Sequence, residues 1–403
     1  MRILYIHQYF LIPSESAATR SYWISQELIR RGHEVIMVSA TRLRHKPGVE
    51  TIDGIEVHYV KNDYNNYMSS LRKIRTFVEF IRLAVREAKK VKDIDLVYAT
   101  STPLTVGYIA MKIKSRYKIP YVFEVRDLWP EFPIQIGAIK NKLVIKYLRN
   151  LERRIYFHSE YVVALSPGMQ EGVVATGFPA AKTAMIPNMS KPDFFRPHDP
   201  DPKTVAKFGL DLGKFNVIHF GSMGRANGLG YIVEAARICA ERGADDIRFI
   251  FLGGGATEPY LKRKVEEYHL ENVRFLGKHN MFTVVEVVNC CDASITSFRN
   301  LPILQTNSPN KLFDSLSAGK PIIVNSAGWT KDLVESEHFG FYVDPEKPEE
   351  LAAKLIEVKD DKALLAEWGA NARRLSLEKY DQKLLTAQVA DVLEKVYNQL
   401  PKK

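Results

Sequence analysis

The sequence predicts an α/β protein of two doubly wound domains, each built on a parallel sheet. Three observations carry that expectation. From residue 2 to residue 164, short apolar runs alternate with amphipathic helical patterns. Pro187, Pro192, Pro197, Pro200 and Pro202 then punctuate the chain too densely for a helix or a central strand, and the alternation restarts at Asn216. Strands buried on both faces place ligands at their carboxyl ends, and two such sheets facing one another leave a cleft between them.

In the first half the apolar runs predict strands over 2–7, 34–39, 55–60, 96–99, 121–125 and 161–164. Helical spacing predicts helices over 21–31, 71–92, 104–115 and 139–156. Arg31-Gly32-His33-Glu34-Val35 reads as a helix stopped by a glycine, with the next strand starting at once. After the proline-rich linker, strands are expected over 216–220, 247–252 and 273–276, with helices over 228–242 and 259–268. Leu384, Leu385, Val389, Val392, Leu393 and Val396 mark a last amphipathic helix over 381–400.

A chain of 403 residues with 46% hydrophobic and 11% aromatic residues has ordinary globular composition, which excludes disordered and fibrous classes. No apolar run is long enough to span a bilayer, and Met1-Arg2-Ile3-Leu4 enters a strand without a signal-peptide pattern, so a cytoplasmic location is expected. Cys239, Cys290 and Cys291 fit neither a disulfide framework nor a metal site and read as buried thiols.

Charge is uneven. Residues 1–200 hold 30 Lys and Arg against 19 Asp and Glu, net +11, whereas residues 201–403 hold 27 against 28, net −1. The first half should therefore meet an anion. In the 71–92 helix, Leu71, Ile74, Val78, Ile81, Val85 and Ala88 form an expected apolar face, widened by Phe77, Phe80 and Leu83. Arg72, Lys73, Arg75, Arg82, Arg86, Lys89 and Lys90 surround it. The 139–156 helix repeats the theme with Lys140, Lys142, Lys146, Arg149, Arg153 and Arg154. Such helices can lie on anionic lipid or simply cover a sheet. No zinc finger, RNP-like pattern or basic arm points to nucleic acid.

The segment from Thr306 to Pro321 is the most informative. Ser308 suits a helix N-cap, Pro309 the first helical position, Gly319 the C′ position and Pro321 the stop. The start of that helix can hold a phosphate on free N–H groups. Lys311 and Asp314, three apart, share a face and could serve a diphosphate and sugar hydroxyls, or form a routine surface ion pair. Val217 to Gly230 is a strand running into a glycine-rich loop at Gly221, Gly224, Gly228 and Gly230, a spacing unlike dinucleotide or P-loop fingerprints. Gly253-Gly254-Gly255 is a third candidate for close approach. In the first half, Glu124-Val125-Arg126-Asp127-Leu128-Trp129-Pro130-Glu131 closes a strand with groups that suit a sugar ring, or with a buried Arg126–Asp127 pair. The loop from Ser14 to Arg20 offers Arg20 to phosphates. Asp93-Ile94-Asp95 and Asp199-Pro200-Asp201 look like metal motifs but read as a solvated strand start and a linker.

Over nearly its whole length the chain resembles the GT-B glycosyltransferases of retaining family four. The first strand, Gly32-His33-Glu34-Val35, Ile186-Pro187-Asn188 leading to Phe195-Arg196-Pro197, Gly221, Phe275-Leu276-Gly277 and Ala318-Gly319-Lys320-Pro321 fall in that family's order. The segments Arg126 to Glu131, Gly221 to Gly224 and Ser308 to Asp314 are similar to the branch that includes L-fucosamine transferases of bacterial O-antigen and capsule assembly. The resemblance implies two Rossmann-like domains facing a central cleft. These are an acceptor-side domain over 1–190 and a nucleotide-sugar-binding domain over 191–380, with a helix over 381–403 packing back on the first.

It further implies a metal-independent, retaining transfer of an N-acetylated amino sugar from a UDP donor to a lipid-linked glycan acceptor, with no cofactor. Basic helices 71–92 and 139–156 would rest on an anionic membrane at its inner face. Asp127, Lys311 and Arg225 would be catalytic. Gly221, Ser222, Lys278, His279, Thr306, Asn307, Ser308, Asn310 and Asp314 would hold the donor, and Arg20, Arg126, Trp129 and Glu131 the sugar or acceptor. The family's two spaced glutamates become Thr306 and Asp314, its diphosphate Arg and Lys become Ser222 and Asn227, and its first-domain His becomes Arg126. Two competing classes share the architecture. Nucleotide-sugar epimerases are disfavoured because Ile6-His7-Gln8-Tyr9-Phe10 lacks their Gly-Thr-Arg-Pro-Glu start, and a non-catalytic sugar-binding protein would bind a donor without turnover.

Overall fold

The computed structural model describes residues 1–15, 19–41, 45–63, 68 and 70–401, without the side chains of Ser70, Leu71 and Lys73. Ser16, Ala17 and Ala18 of the expected Arg20 loop lie outside the described residues, as do the Leu71 and Lys73 side chains of the expected basic helix. The described chain divides into two compact units. One takes in Met1–Pro13, the chain from Thr19 to Pro187 and the terminal stretch from Lys383; the other is Asn188–Gln382 together with Ser14 and Glu15.

The first unit is a sheet of β1 (Arg2–Ile6), β2 (Glu34–Ala40), β3 (Gly48–Ile52), β4 (Ile55–Val60), β5 (Leu96–Thr100), β6 (Tyr121–Val125), β7 (Tyr161–Ala164) and β8 (Thr183–Met185), in the order β3-β4-β2-β1-β5-β6-β7-β8. Helices α1 (Arg20–Arg30), α2 (Ser70–Ala88), α3 (Thr105–Tyr117), α4 (Glu131–Gln135), α5 (Lys142–His158) and α6 (Pro167–Ala175) connect them. β5 and β6 are buried at every position, as strands covered on both faces must be. β3 is antiparallel to β4 and was not expected. Asp53 and Gly54, at φ 46° and 83°, form its hairpin turn, where positive φ suits the strand twist. Strand order reverses between β1 and β5, so the crevice for a ligand lies at their carboxyl ends.

The second unit runs α7 (Pro202–Phe208), β9 (Phe215–Ser222), α8 (Gly230–Glu241), β10 (Ile247–Gly254), α9 (Glu258–Glu267), β11 (Val273–Gly277), α10 (Met281–Asn289), β12 (Ala293–Thr296), α11 (Asn310–Ser317), β13 (Ile322–Val324), α12 (Trp329–Ser336), β14 (Gly340–Tyr342), α13 (Pro348–Val358) and α14 (Lys362–Glu378). Its parallel sheet has the order β11-β10-β9-β12-β13-β14 and switches direction between β9 and β12. Both units are thus doubly wound α/β folds. The last helix, α15 (Gln382–Gln399), joins the first unit from Lys383 on. Arg31 reaches Asp391 at 2.7 Å and Glu394 at 3.0 Å, and His33 meets Glu394 at 2.8 Å.

The basic helices differ from expectation. α2 ends at Ala88 and α5 begins at Lys142, where Asn141 caps it by accepting from the N–H groups of Leu143 and Val144. α2 buries Thr76, Phe80, Ala84 and Ala88 and leaves Ile74 and Val78 58% and 50% exposed. The larger apolar area of Phe80 turns that face inward, so Ile74 and Val78 look out among arginines. The three cysteines are buried free thiols. No helix among the described residues is long and apolar enough to cross a membrane.

Candidate active site

In the second unit, the switch point gathers β9, its following loop and the start of α11. His219 is buried on β9, a polar interruption in an apolar strand. With its Nδ1 3.3 Å from the Ile295 carbonyl on β12, that nitrogen donates, and Nε2 is left as an acceptor 3.4 Å from Lys311 Nζ. Burial and the Lys311 charge hold the His219 pKa well below its ordinary value, so the ring is neutral. Lys311, in the first turn of α11, passes over Gly221: a Cβ built there would sit 3.9 Å from Lys311 Cε. Burial draws the Lys311 pKa down to about 7.

The loop after β9 is stapled from below. A Cβ on Gly253 would lie 1.9 Å from the Gly221 carbonyl oxygen, and one on Gly255 2.6 Å from the Met223 oxygen. Gly253 and Gly255 therefore serve backbone packing, whereas a Cβ on Gly254 would meet the Lys278 and Glu258 side chains. Asn227 donates from Nδ2 to the Ser222 carbonyl at 2.6 Å, and Thr257 Oγ1 to the Met223 carbonyl at 2.7 Å. This leaves Gly221, Ser222 and Arg225 exposed at the carboxyl edge. Lys278 and His279 follow β11 on the same edge and are exposed; His279 Nε2 donates to the Leu276 carbonyl at 2.8 Å. The first N–H groups of α11, at Asn310 and Lys311, form the positive end of its dipole. The second unit thus offers a phosphate-sized anion a rigid loop, a helix N-terminus and the Lys311 ammonium.

In the first unit, the crevice between β1 and β5 holds His7, Thr102 and the segment after β6. Glu124 is buried and accepts from Arg20 Nε at 2.9 Å, Tyr98 OH at 2.7 Å and Thr100 Oγ1 at 2.6 Å. Burial pushes its carboxyl up, and Arg20, Arg126 and these hydrogen bonds more than reverse this, holding it below the usual range. His7 Nδ1 lies 2.7 Å from Ser21 Oγ and its Nε2 3.4 Å from Arg126. Burial raises the Asp127 pKa to about 6 against the pull of Arg126 and a Thr102 hydrogen bond. The Trp129 indole N–H is buried with no partner among the described residues, a donor that costs about 1–3 kcal/mol until something accepts from it.

Two family models account for most of the chain: residues 17–189 match the glycosyl transferase 4-like domain and residues 201–375 the glycosyl transferases group 1. The chain is a group 1 glycosyltransferase of the GT-B class. Among curated relatives, the alpha-galactosylglucosyldiacylglycerol synthase of Streptococcus pneumoniae is 24% identical, over 79% of this chain and 86% of its own. Among solved structures, sucrose-phosphate synthase from Thermosynechococcus elongatus is similar at a TM-score of 0.78 and 15% identity, covering 99% of this chain and 100% of that one. Anabaena HepE in complex with UDP and glucose gives 0.71 and 19%, covering 98% and 99%.

Several sequence expectations for this glycosyltransferase need correction. Arg20 opens α1 and its guanidinium is consumed by Glu124 and the carbonyls of Ile186 and Pro187, so it offers no group to a phosphate. Asp314 does not pair with Lys311: its carboxylate is 2% exposed and ion-paired with buried Lys191, which withdraws it from a ribose. Burial raises its pKa while Lys191 pulls it back. Ser308 is not the N-cap of α11; Pro309 holds that position, and Ser308 Oγ accepts from the Asn188 N–H at 3.0 Å. The Asn307 carbonyl accepts from the Trp329 indole, and Thr306 Oγ1 donates to the Ile303 carbonyl at 2.8 Å within its own turn. Glu131 pairs with Arg149 on α5 at 2.7 Å. Lys191 gave no local signal, whereas His219, alone among apolar neighbours on a strand, could have been read.

Lys311 sets a pH dependence. With a pKa near 7 it loses its charge progressively as pH rises through neutrality, and an adjacent diphosphate favours the charged form. UDP affinity should therefore rise as pH falls from about 9 to about 7, with proton uptake on binding. Calorimetry in two buffers of different ionisation enthalpy checks this; flat affinity without proton exchange contradicts it.

Proposed function

We propose that this glycosyltransferase moves an N-acetylated amino sugar from a UDP donor to a lipid-linked glycan acceptor, with retention and without a metal. The observation that carries the reading is Lys311, held by His219 over the exposed Gly221 loop at the switch point of the second sheet. The loop Gly221-Ser222, Arg225 and the N–H groups at Asn310 and Lys311 bind the diphosphate, and the nucleobase rests by Lys278 and His279. The complex of UDP and glucose in the HepE structure supports a UDP donor for a chain of this fold. Asp127, Arg126 and Trp129 receive the sugar and acceptor, and the unpaired indole N–H supplies a ready donor to a hydroxyl.

Chemistry follows from charge placement. Breaking the glycosidic bond leaves a positive sugar carbon and a negative diphosphate, and donors fixed on the diphosphate stabilise that state more than the ground state. Retention without a covalent enzyme intermediate needs no nucleophilic carboxylate pair, and the departing phosphate accepts the acceptor proton. α2 and α5, with exposed Ile74, Val78, Leu143 and Tyr147 among basic residues, bring the enzyme to the inner face of a membrane that carries the acceptor. Transfer from a panel of UDP-N-acetylhexosamines to a lipid-linked acceptor, with the product anomer read by NMR, tests the reading. An α-linked product from an α-linked donor is expected, and an inverted anomer or transfer only with a divalent ion overturns it.

A further inference from the structure

The second sheet has a polar hollow at its amino edge, opposite the donor loop. α8 and α9 each turn back there into a strand, through 242–246 into β10 and through 268–272 into β11. A cavity of about 300 Å³ opens where the two returns meet, lined by Ala240, Asp245, Arg248, His269, Glu271 and Asn272. Asn272 is 4% exposed, and its Nδ2 donates to the Ala236 carbonyl of α8 at 2.9 Å, which assigns the other end of the amide as Oδ1. Arg248 is held by a bond from Nη1 to the Glu271 carbonyl at 2.5 Å. Yet Asn272 Oδ1 and Arg248 Nε are both buried with no partner among the described residues. Buried polar atoms are nearly always paired, so an acceptor and a donor left over on two pinned side chains of one cavity mark a place for a ligand.

The chemistry of the lining selects that ligand. A phosphate or carboxylate could accept from Arg248 but has no hydrogen to give Asn272. It would also meet Asp245 and Glu271, which are exposed and in no ion pair among the described residues. An ammonium could donate to Asn272 but offers Arg248 only a like charge. A hydroxyl does both, and adjacent hydroxyls on one ring suit planar carboxylate, amide and guanidinium groups. The volume is at the small end for ligand sites and suits one sugar ring rather than a nucleotide.

We infer that this cavity is a second carbohydrate site, holding one neutral sugar unit on Asp245, Arg248, Glu271 and Asn272. The length of β10 separates it from the Gly221 loop. The inference stands without the UDP donor or the acceptor of the proposed function.

Saturation-transfer NMR on the full chain tests it, with UDP present in excess to keep the donor loop filled and with glucose, N-acetylglucosamine and their linear trisaccharides as probes. At least one neutral sugar should bind, and glucosamine and glucose 6-phosphate should bind at least about tenfold more weakly. Asp245→Ala with Glu271→Ala, and separately Ala240→Leu, which adds bulk to the wall, should each weaken the neutral sugar about tenfold or more. Melting temperatures within a few degrees of the native chain show that both variants fold. A trisaccharide that binds more tightly than its monomer assigns the site to a glycan chain, and equal binding assigns it to a free sugar. Binding that survives in both variants lies elsewhere and overturns the inference, as does a preference for the charged sugars or no binding by any neutral probe. Sugar transfer is not read, so a donor other than UDP leaves each of these outcomes as it stands.

Discussion

Lys311→Ala is expected to lower kcat/KM for sugar transfer by about three orders of magnitude while leaving the melting temperature within a few degrees. The ammonium lies across the Gly221 loop, and its partner there is a neutral imidazole rather than a carboxylate. No carboxylate among the described residues pairs with it, so removal leaves no orphaned charge and little stability is lost. What disappears is stabilisation of the departing diphosphate, an interaction stronger in the transition state than before it. Lys311→Arg keeps the charge but not the fit beside His219 and should recover only part of the rate. Steady-state kinetics with melting curves on both variants checks this; near-normal turnover in the alanine variant would remove Lys311 from the mechanism.

Asp314→Asn is expected to cost about 3–5 kcal/mol of stability, because it leaves the buried Lys191 ammonium without its counter-charge. For a unit of this size that is a fall in melting temperature on the order of 10 °C. Lys191→Met should cost a similar amount, and the double variant Lys191→Met with Asp314→Leu should recover most of the loss, since a well-packed apolar pair can replace a buried ion pair. UDP affinity of Asp314→Asn, measured well below its melting temperature, should change by less than about threefold. An unchanged melting temperature with lost UDP affinity would instead return Asp314 to the ribose.

These two residues also show what the sequence could reveal. Lys311 was legible because a proline-led helix start and a nearby glycine loop are local signals of an anion site. Asp314 was misassigned because a residue three positions away is an obvious partner, whereas Lys191 lies 123 positions back in a stretch that reads as linker. Arg20 and Glu124, 104 positions apart, repeat the case: local reading paired Arg126 with Asp127, and the fold placed its buried ion pair elsewhere. Partner choice for buried charges is decided by tertiary packing. Strand positions were legible because short apolar runs between helices recur, and β3 was missed although Asp53-Gly54 is a hairpin signal. In α2 the period was visible but the inward face was not, since Phe80 and Ile74 both satisfy helical spacing.

The most direct test is calorimetric titration of UDP, with EDTA present, into the full chain and into Lys311→Ala. The native chain should bind UDP at one site in preference to other nucleoside diphosphates, and the variant should bind at least about tenfold more weakly. Equal UDP affinity in both, or selective binding of another nucleotide, would contradict a UDP-sugar donor held by Lys311.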